Sequence, residues 1–330
     1  MTDQYILPTV YTDISILICS KNRREDLLNL VEDLKYLVQK NHPVEIVIVE
    51  ETDFPEPIEG VTYVGHPLKN KGIAYARNLA LQNSTGRIIV FLDDDCRIGP
   101  GWLESLLKPL DTDAVSAVQG GVTVSESANE LGWAETILGF PGGGIKRILQ
   151  SRNRVLPTRE ISTLNCAYRR TAVEQAGGFD ERLSTGGEDY LLAKQICRNQ
   201  NCRYVPSAMV RHRPRNRFSA IWRWFVRRGR AEIAVIRTGK QTESTYRSLL
   251  RASISIKLMI VVVPMLVLGA DMLTVSALSG LLYVGLQYVR YLSIWRRSGA
   301  PALSLLALPL VKLTMDVGQD WGRLRGTLDG

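Results

Sequence analysis

The stretch Arg87–Trp102, "RIIVFLDDDCRIGPGW", runs from an apolar, β-branched segment directly into three consecutive aspartates, Asp93, Asp94 and Asp95. "RIIVFL" has the unbroken apolar character of a strand buried on both faces. Adjacent carboxylates at the mouth of such a strand repel one another, so a cation is expected against them: a divalent metal, a cluster of arginines, or otherwise plain solvent. Upstream, "DISILIC" (Asp13–Cys19) and "VEIVIVE" (Val44–Glu50) are runs of the same type. Between them Arg24 to Lys40 places Leu27, Leu28, Val31, Leu34, Leu37 and Val38 at helical spacing. "GIAYARNLALQNSTG" reads as a second helix ending at a glycine, and "GWLESLLKPL" opens a third. Strands separated by helices of this length predict an α/β domain with a mainly parallel sheet flanked by helices. Ligands of such a sheet sit at the carboxyl ends of its strands, which is where the aspartates fall.

The chain has 330 residues, enough for one large or two ordinary domains. A formal charge of +8 points to an anionic partner: nucleotide phosphates, nucleic acid or a membrane surface. Cys19, Cys96, Cys166, Cys197 and Cys202 form an odd set without a C-x-x-C pair, so neither a disulfide framework nor a zinc site is indicated. "MTDQYILPTVYTD" lacks the basic start and long apolar core of a signal peptide, and the first domain is expected to stay cytoplasmic.

After about Ser207 the composition shifts. "RHRPRNRFSAIWRWFVRRGRAEIAVIR" (Arg211–Arg237) interleaves arginines with Trp222, Trp224 and Phe225 and reads as a basic amphipathic helix at a membrane surface. From Leu258 to Val289 the only charged residue is Asp271. One helix of that length would span roughly 48 Å, too long for a hydrocarbon core of about 30 Å. A hairpin over about 254–290, turning near Gly269–Asp271, fits better, and its basic flanks place both ends in the cytoplasm. "GAPALSLLALPLV" begins a third apolar segment, about 299–318, able to span, re-enter or lie in the interface. The expected division is thus 1–212 as an α/β domain, 213–250 as an interfacial helix and linker, and 251–330 as apolar helices. A soluble bundle or homo-oligomer interface is the other use of such helices.

Further polar groups recur at the predicted strand and helix ends. "STGGEDYLLAKQI" puts Glu188 and Asp189 after two glycines at the start of a helix, where the positive helix end keeps a carboxylate ionised. Plain helix capping explains the same pattern. His212, one of three histidines, follows a short apolar run amid arginines, where a neutral imidazole, a metal ligand, is favoured.

With these residues in view, the chain resembles the inverting nucleotide-sugar glycosyltransferases of family 2, which have the Rossmann-like GT-A fold. The resemblance runs in order through "ISILICSKNR", "VEIVIVEETD", "NKGIAYARNLAL", "GRIIVFLDDDC", "LNCAYRRTAVEQAGGFDERLSTGGEDYLLAKQI" and "YVPSAMVRH". It implies transfer of a sugar from a nucleoside diphosphate sugar to a hydroxyl acceptor. A divalent cation, magnesium or manganese, stabilises the diphosphate leaving group as a Lewis acid. The resemblance makes Asp93 and Asp95 the ends of a D-x-D motif, Asp95 the direct metal ligand and His212 a further ligand. Asp189 becomes the base that takes the acceptor proton, with Glu188 as the alternative. Cys19, Ser20 and Asn22 lie in the nucleotide loop; Lys71, Gly72, Arg77, Asn165 and Arg169 join Asp93 and Asp94 as donor or acceptor contacts. Glu50 and Glu51 stand where the family usually has aspartates facing the base, a departure that leaves the donor base open.

The family's Q-x-x-R-W processivity motif is absent, which favours non-processive transfer. "GFPGGGIKR" (Gly139–Arg147) fails the phosphate-loop spacing and reads as a loop near the acceptor side. The apolar segments suit a lipid-linked or glycan acceptor. A nucleic-acid-binding protein would use the arginine–aromatic stretch but leaves "LDDDC" and "GGEDY" unexplained. An aspartyl phosphatase wants its D-x-D on the first strand, and a binding or scaffold protein without catalysis remains compatible with the motifs.

Overall fold

The alternation of buried strands and amphipathic helices builds a nine-stranded mixed sheet in the computed structural model, which describes residues 13–38, 44–67, 71–239, 253–267, 269 and 271–329. The strands are β1 Ile14–Lys21, β2 Val44–Glu51, β3 Thr62–His66, β4 Ile88–Leu92, β5 Cys96–Arg97, β6 Val115–Val124, β7 Leu156–Pro157, β8 Asn165–Arg169 and β9 Asn201–His212. They lie in the order β3-β2-β1-β4-β8-β6-β9-β5, with β7 paired to β9. From β3 to β4 every pair is parallel, as is β6 with β9. Within the sheet β8 is antiparallel to both of its neighbours, and the short strands β5 and β7 pair antiparallel with β9.

Alternate side chains of β1 and β4 point to opposite faces, and both faces are covered. Ile16, Ile18 and Val90 pack with Leu27, Leu30 and Leu34 of α1 (Arg24–Val38) and with Trp102 and Leu106 of α3 (Trp102–Leu107). On the other face Leu17, Ile89 and Phe91 meet Ala74 and Ala80 of α2 (Ile73–Gln82), Val173 of α6 (Arg170–Gln175), and Leu192 and Ile196 of α7 (Glu188–Asn199). Burial on both sides is why these strands read as continuous apolar runs.

A second core joins α4 (Glu130–Ile137) and α5 (Gly144–Ser151) to the C-terminal helices α8 (Phe218–Arg237), α10 (Met272–Ser298) and α11 (Ala302–Leu328). Here the structure differs from the expected membrane docking of α8 through its aromatics. Ile221 and Phe225 are fully buried, and Trp224 packs edge-on against Phe140 and Phe225. Those rings belong to a protein core, not to a lipid-facing surface. The glycine-rich turn expected to be a loop near the acceptor runs from α4 into α5, whose first residue is Gly144.

The apolar stretch expected to form a hairpin holds two helices, α9 (Ile254–Val267) and α10; the linker residues 240–252 and tip residues 268 and 270 lie outside the described residues. Asp271, the one charge in the stretch, caps α10 by accepting from the Thr274 N–H at 2.9 Å. The third segment is longer than its apolar composition suggested and runs to Leu328. Its second half is held by α8: Glu232 accepts from Gln319 Nε2 at 2.7 Å and Arg323 Nε at 2.9 Å. Its outer face exposes Leu303, Leu306, Leu310, Leu313, Val317 and Trp321 at helical spacing. Among the described residues two helices, α10 and α11, are long and apolar enough to cross a membrane, which supports membrane association of this C-terminal region.

The α8–α11 contact depends on missing side chains. A Cβ at Gly322 would lie 2.1 Å from the Val226 carbonyl oxygen, and one at Gly229 2.1 Å from that of Gln319. Gly318, Gly322 and Gly326 repeat every four residues along this seam. Gly322→Ala is therefore expected to push the helices apart and to cost about 1–3 kcal/mol, the usual penalty of overpacking. The check is thermal unfolding in detergent: an apparent Tm equal to that of Gly280→Ala, where the added Cβ meets nothing, would show that the seam tolerates separation.

Candidate active site

At the carboxyl ends of β1 and β4 the chain turns sharply. Asn22 adopts a left-handed φ of 56°, which asparagine tolerates better than most residues, and the turn brings Arg23 over the aspartates. Arg23 bonds Asp94 at 2.8 Å and also pairs with Asp95. After β4, the Cys96 N–H donates to the Asp93 carbonyl at 3.2 Å, folding the three aspartates into a tight turn. β5 then pairs antiparallel with the end of β9, setting Cys96 opposite His212. The imidazole Nε2 consequently lies 3.2 Å from Asp95 Oδ1.

Asp93, Asp95 and His212 each offer one ligand atom, all within 4.8 Å of one another. Two carboxylates and an imidazole converging at this spacing fit a divalent cation of the magnesium–manganese type. Burial raises Asp93 and Asp94, the latter pushed up to about 7 against the pull of Arg23. Asp95 behaves oppositely: burial alone would raise it, but His212 and Arg23 hold it below the usual carboxylate range. Of the three aspartates it is the one kept firmly charged.

The opposite wall is the N-terminus of α7. Gly187, at φ 91° and packed against Val235 of α8, caps that helix and fixes the direction in which Glu188 and Asp189 leave it. Glu188 is buried; burial raises its carboxyl while the paired Arg77 opposes the shift. Arg77 also reaches Asp93 at 3.7 Å, so one buried guanidinium links both carboxylate groups. Although burial disfavours its charge, Glu188 and Asp93 hold Arg77 protonated. Asp189 is half-buried, with Oδ1 accepting from the Tyr190 N–H at 2.7 Å. Asn78 of α2 pins the loop before α7, donating to the Phe179 carbonyl at 2.9 Å and accepting from the Phe179 N–H at 3.0 Å.

The remaining residues singled out in the sequence divide. Ser20 is buried at the end of β1, and burial pushes the neighbouring Cys19 thiol up to about 12, so it stays neutral. Glu50 is engaged by Arg24 and by Tyr63 Oη at 2.7 Å, and Glu51 by Lys21 at 2.9 Å. Gly72, at φ 89°, packs on the Ser184 backbone, while Lys71 lies 4.0 Å over the Tyr75 ring. Two residues lie outside the cluster. Asn165 is fully buried, donating to the Gly121 and Ala208 carbonyls at 2.9 and 2.8 Å and accepting from Trp102 Nε1 at 3.0 Å. Its polar atoms knit the sheet to α3 and are not aimed at a ligand. Because β8 runs antiparallel to β4, Arg169 falls opposite Ile88, at the far edge of the sheet from Asp93. There it donates to the carbonyls of Leu110, Thr112 and Val115.

Arg23 and Arg227 escaped the sequence reading, whereas Arg215 belongs to the arginines after His212 that it offered for closure over the diphosphate. Arg23 directly follows the nucleotide loop, yet nothing in "NRR" says that Arg23 turns to Asp95 and Arg24 to Glu50. Buried Glu135 holds Arg215 at 2.8 Å, and Arg215 also stacks 4.4 Å over Trp224. Arg227 lies one helical turn before the Ala231 that faces Gly187; burial and Arg215 lower its guanidinium, while Glu188 and Asp93 oppose the shift. It has no ion-pair partner among the described residues.

A mixed sheet that delivers an Asp/His metal cluster to the strand ends, with an acid pair on the facing helix, defines a glycosyltransferase domain of the GT-A class. Residues 15–177 match the family model described as "Glycosyl transferase family 2", and the chain carries a domain of that family. It is 30% identical over 214 residues to the "Pre-mycofactocin glycosyltransferase" of Mycobacterium tuberculosis, a match covering 61% of this chain and 43% of that protein. With the "Succinoglycan biosynthesis protein ExoM" of Rhizobium meliloti it shares 29% identity over 238 residues, 66% of this chain and 72% of the relative. The chain thus spans less than half the length of the mycobacterial relative. The structure titled "Mannosyltransferase PcManGT from Pyrobaculum calidifontis in complex with GDP-Man and Mn2+" shares the fold. Its TM-score is 0.57 at 15% identity, over 99% of this chain and 91% of that one.

Proposed function

We propose that this chain transfers a sugar from a nucleoside diphosphate sugar to a hydroxyl group, inverting the anomeric centre, at the cytoplasmic face of a membrane. The observation that carries this reading is the Asp93–Asp95–His212 cluster, bridged through Arg77 to the carboxylates at the start of α7. A divalent cation held by Asp93, Asp95 and His212 would supply Lewis-acid stabilisation of the departing diphosphate. Arg23 and Arg77 stand beside the same aspartates and add positive charge where the leaving group gathers negative charge. Asp189 takes the proton of the acceptor hydroxyl as its oxygen bonds to the anomeric carbon and the bond to the diphosphate breaks. Glu188, committed to Arg77, positions that guanidinium.

Manganese is the favoured cation because one ligand is an imidazole. The apolar hairpin and the exposed stripe of α11 favour a lipid-borne acceptor, and the basic flanks of the hairpin favour a cytoplasmic active site. The domain division follows: a catalytic unit through His212, then α8 and the membrane-associated helices.

Arg227 completes the cationic rim from α8. Arg227→Ala is expected to weaken donor binding about tenfold to a hundredfold, the loss of one charge-assisted contact, with kcat little changed. Steady-state kinetics in donor concentration check this, and an unchanged KM would remove α8 from the donor site. The reading as a whole is tested by calorimetric titration of the full chain in detergent with nucleoside diphosphates, with and without manganese. Metal-dependent binding of one nucleotide supports it; a folded protein that binds none overturns it.

A further inference from the structure

A second cluster of like charges lies away from the active site, where α10 emerges from the protein core. Lys146 Nζ of α5 is 5.3 Å from the Tyr291 ring centroid, and the Arg290 guanidinium carbon is 5.6 Å from the same centroid. Tyr291 is buried among Leu308, Val311 and Met315 of α11, and Lys312 sits beside them on that helix. Lys312 is paired with Asp316, whereas Lys146 and Arg290 have no ion-pair partner among the described residues. Burial, with smaller contributions from Arg290 and Lys312, pushes the Lys146 ammonium down. Lys146 is half-buried and Arg290 exposed, and like charges gathered on one ring repel unless an anion joins them.

The surroundings suit an anion carried by a lipid. Further toward the N-terminus of α10, Tyr283 Oη and Ser279 Oγ are buried without hydrogen-bond partners among the described residues. The outer side of the same stretch exposes Leu278, Leu281, Leu282, Leu286 and Val289. Two cations gathered on one tyrosine therefore sit at the foot of an exposed apolar helix, with an apolar track beyond. Basic pockets at the cytoplasmic ends of membrane helices take phosphate headgroups for this reason.

We propose that Lys146, Arg290 and Lys312 seat the phosphate headgroup of a membrane lipid whose hydrocarbon chain lies along the outer face of α10. The site depends on membrane association of the C-terminal helices and not on the transferase reading.

The test uses the full chain, delipidated in a neutral detergent and titrated with phosphatidic acid, retained lipid being counted by native mass spectrometry. Wild type is expected to retain one phosphatidic acid and to prefer it over phosphatidylcholine. Each charge removed is expected to weaken retention about fivefold, so Lys146→Gln with Arg290→Gln loses about 25-fold, and Lys146→Arg restores the single-site loss. Nucleoside diphosphate affinity should be unchanged in all variants, which confirms their folding and separates this site from the catalytic one. Equal retention by the double variant, or equal retention of phosphatidylcholine, would overturn the proposal and leave the cations as side chains packed on Tyr291. Displacement by millimolar glycerol phosphate would overturn it in favour of a free-phosphate site.

Discussion

Asp95→Ala is expected to lose metal-dependent nucleotide binding and to lower sugar transfer by roughly three orders of magnitude, since the Lewis acid is worth several kcal/mol. The reason lies in how differently the three aspartates are held. Asp94 is wrapped in protein, paired with Arg23 and pushed up to about 7, so it enters neutral pH partly protonated. Asp95 keeps its charge because His212 and Arg23 stand against it, and it is the carboxylate in contact with the imidazole. Removing it takes one of three converging ligands and leaves His212 without its partner. Arg23 keeps Asp94, so the turn retains an ion pair and the fold should survive. Calorimetry with a nucleoside diphosphate, with and without manganese, reads the effect, and circular dichroism guards against unfolding. Metal-dependent affinity equal to wild type would remove Asp95 from the coordination sphere. The three consecutive carboxylates would then be a structural turn neutralised by Arg23 and Arg77 alone.

The parallel half of the sheet was legible because its strands are buried on both faces, leaving uninterrupted apolar runs between helices. β8 was not legible as antiparallel, since "NCAYR" carries no mark of direction. That single reversal moved Arg169 to the wrong edge for a ligand, and full burial turned Asn165 into a brace for Trp102. The metal cluster was readable because its residues follow apolar strands at their carboxyl ends. The roles of Arg23 and Arg227 were not, because a chain with 41 lysines and arginines offers no spacing rule that singles out these two. The aromatics of α8 show the same limit. Alternation with arginine looked like a membrane-binding face, but α4 and α11 cover Ile221 and Phe225. The exposed apolar stripe lies on α11 instead, whose inner glycines let it sit close to α8.

Asp189→Asn is expected to lower kcat by about two to four orders of magnitude while leaving donor affinity within about twofold, the signature of a lost general base. Two adjacent carboxylates compete for this role, and their surroundings separate them. Glu188 is buried and paired with Arg77, which in turn faces Asp93. A carboxylate so committed gains little by taking a proton, because doing so would strand a buried guanidinium. Glu188→Gln should therefore weaken donor binding by releasing Arg77, with a smaller effect on the chemical step. Asp189 is half-buried at the positive end of α7; Oδ1 accepts from the Tyr190 N–H, and the other oxygen has no hydrogen-bond donor among the described residues and can meet an acceptor. Amide substitution keeps that bond and the side chain's shape while removing the basic oxygen, so the change is confined to proton transfer. Single-turnover kinetics with saturating donor and manganese isolate the step from product release. If Glu188→Gln stops turnover at undiminished donor affinity while Asp189→Asn does not, the roles are exchanged. Arg77 would then serve to tune the base rather than to face the diphosphate.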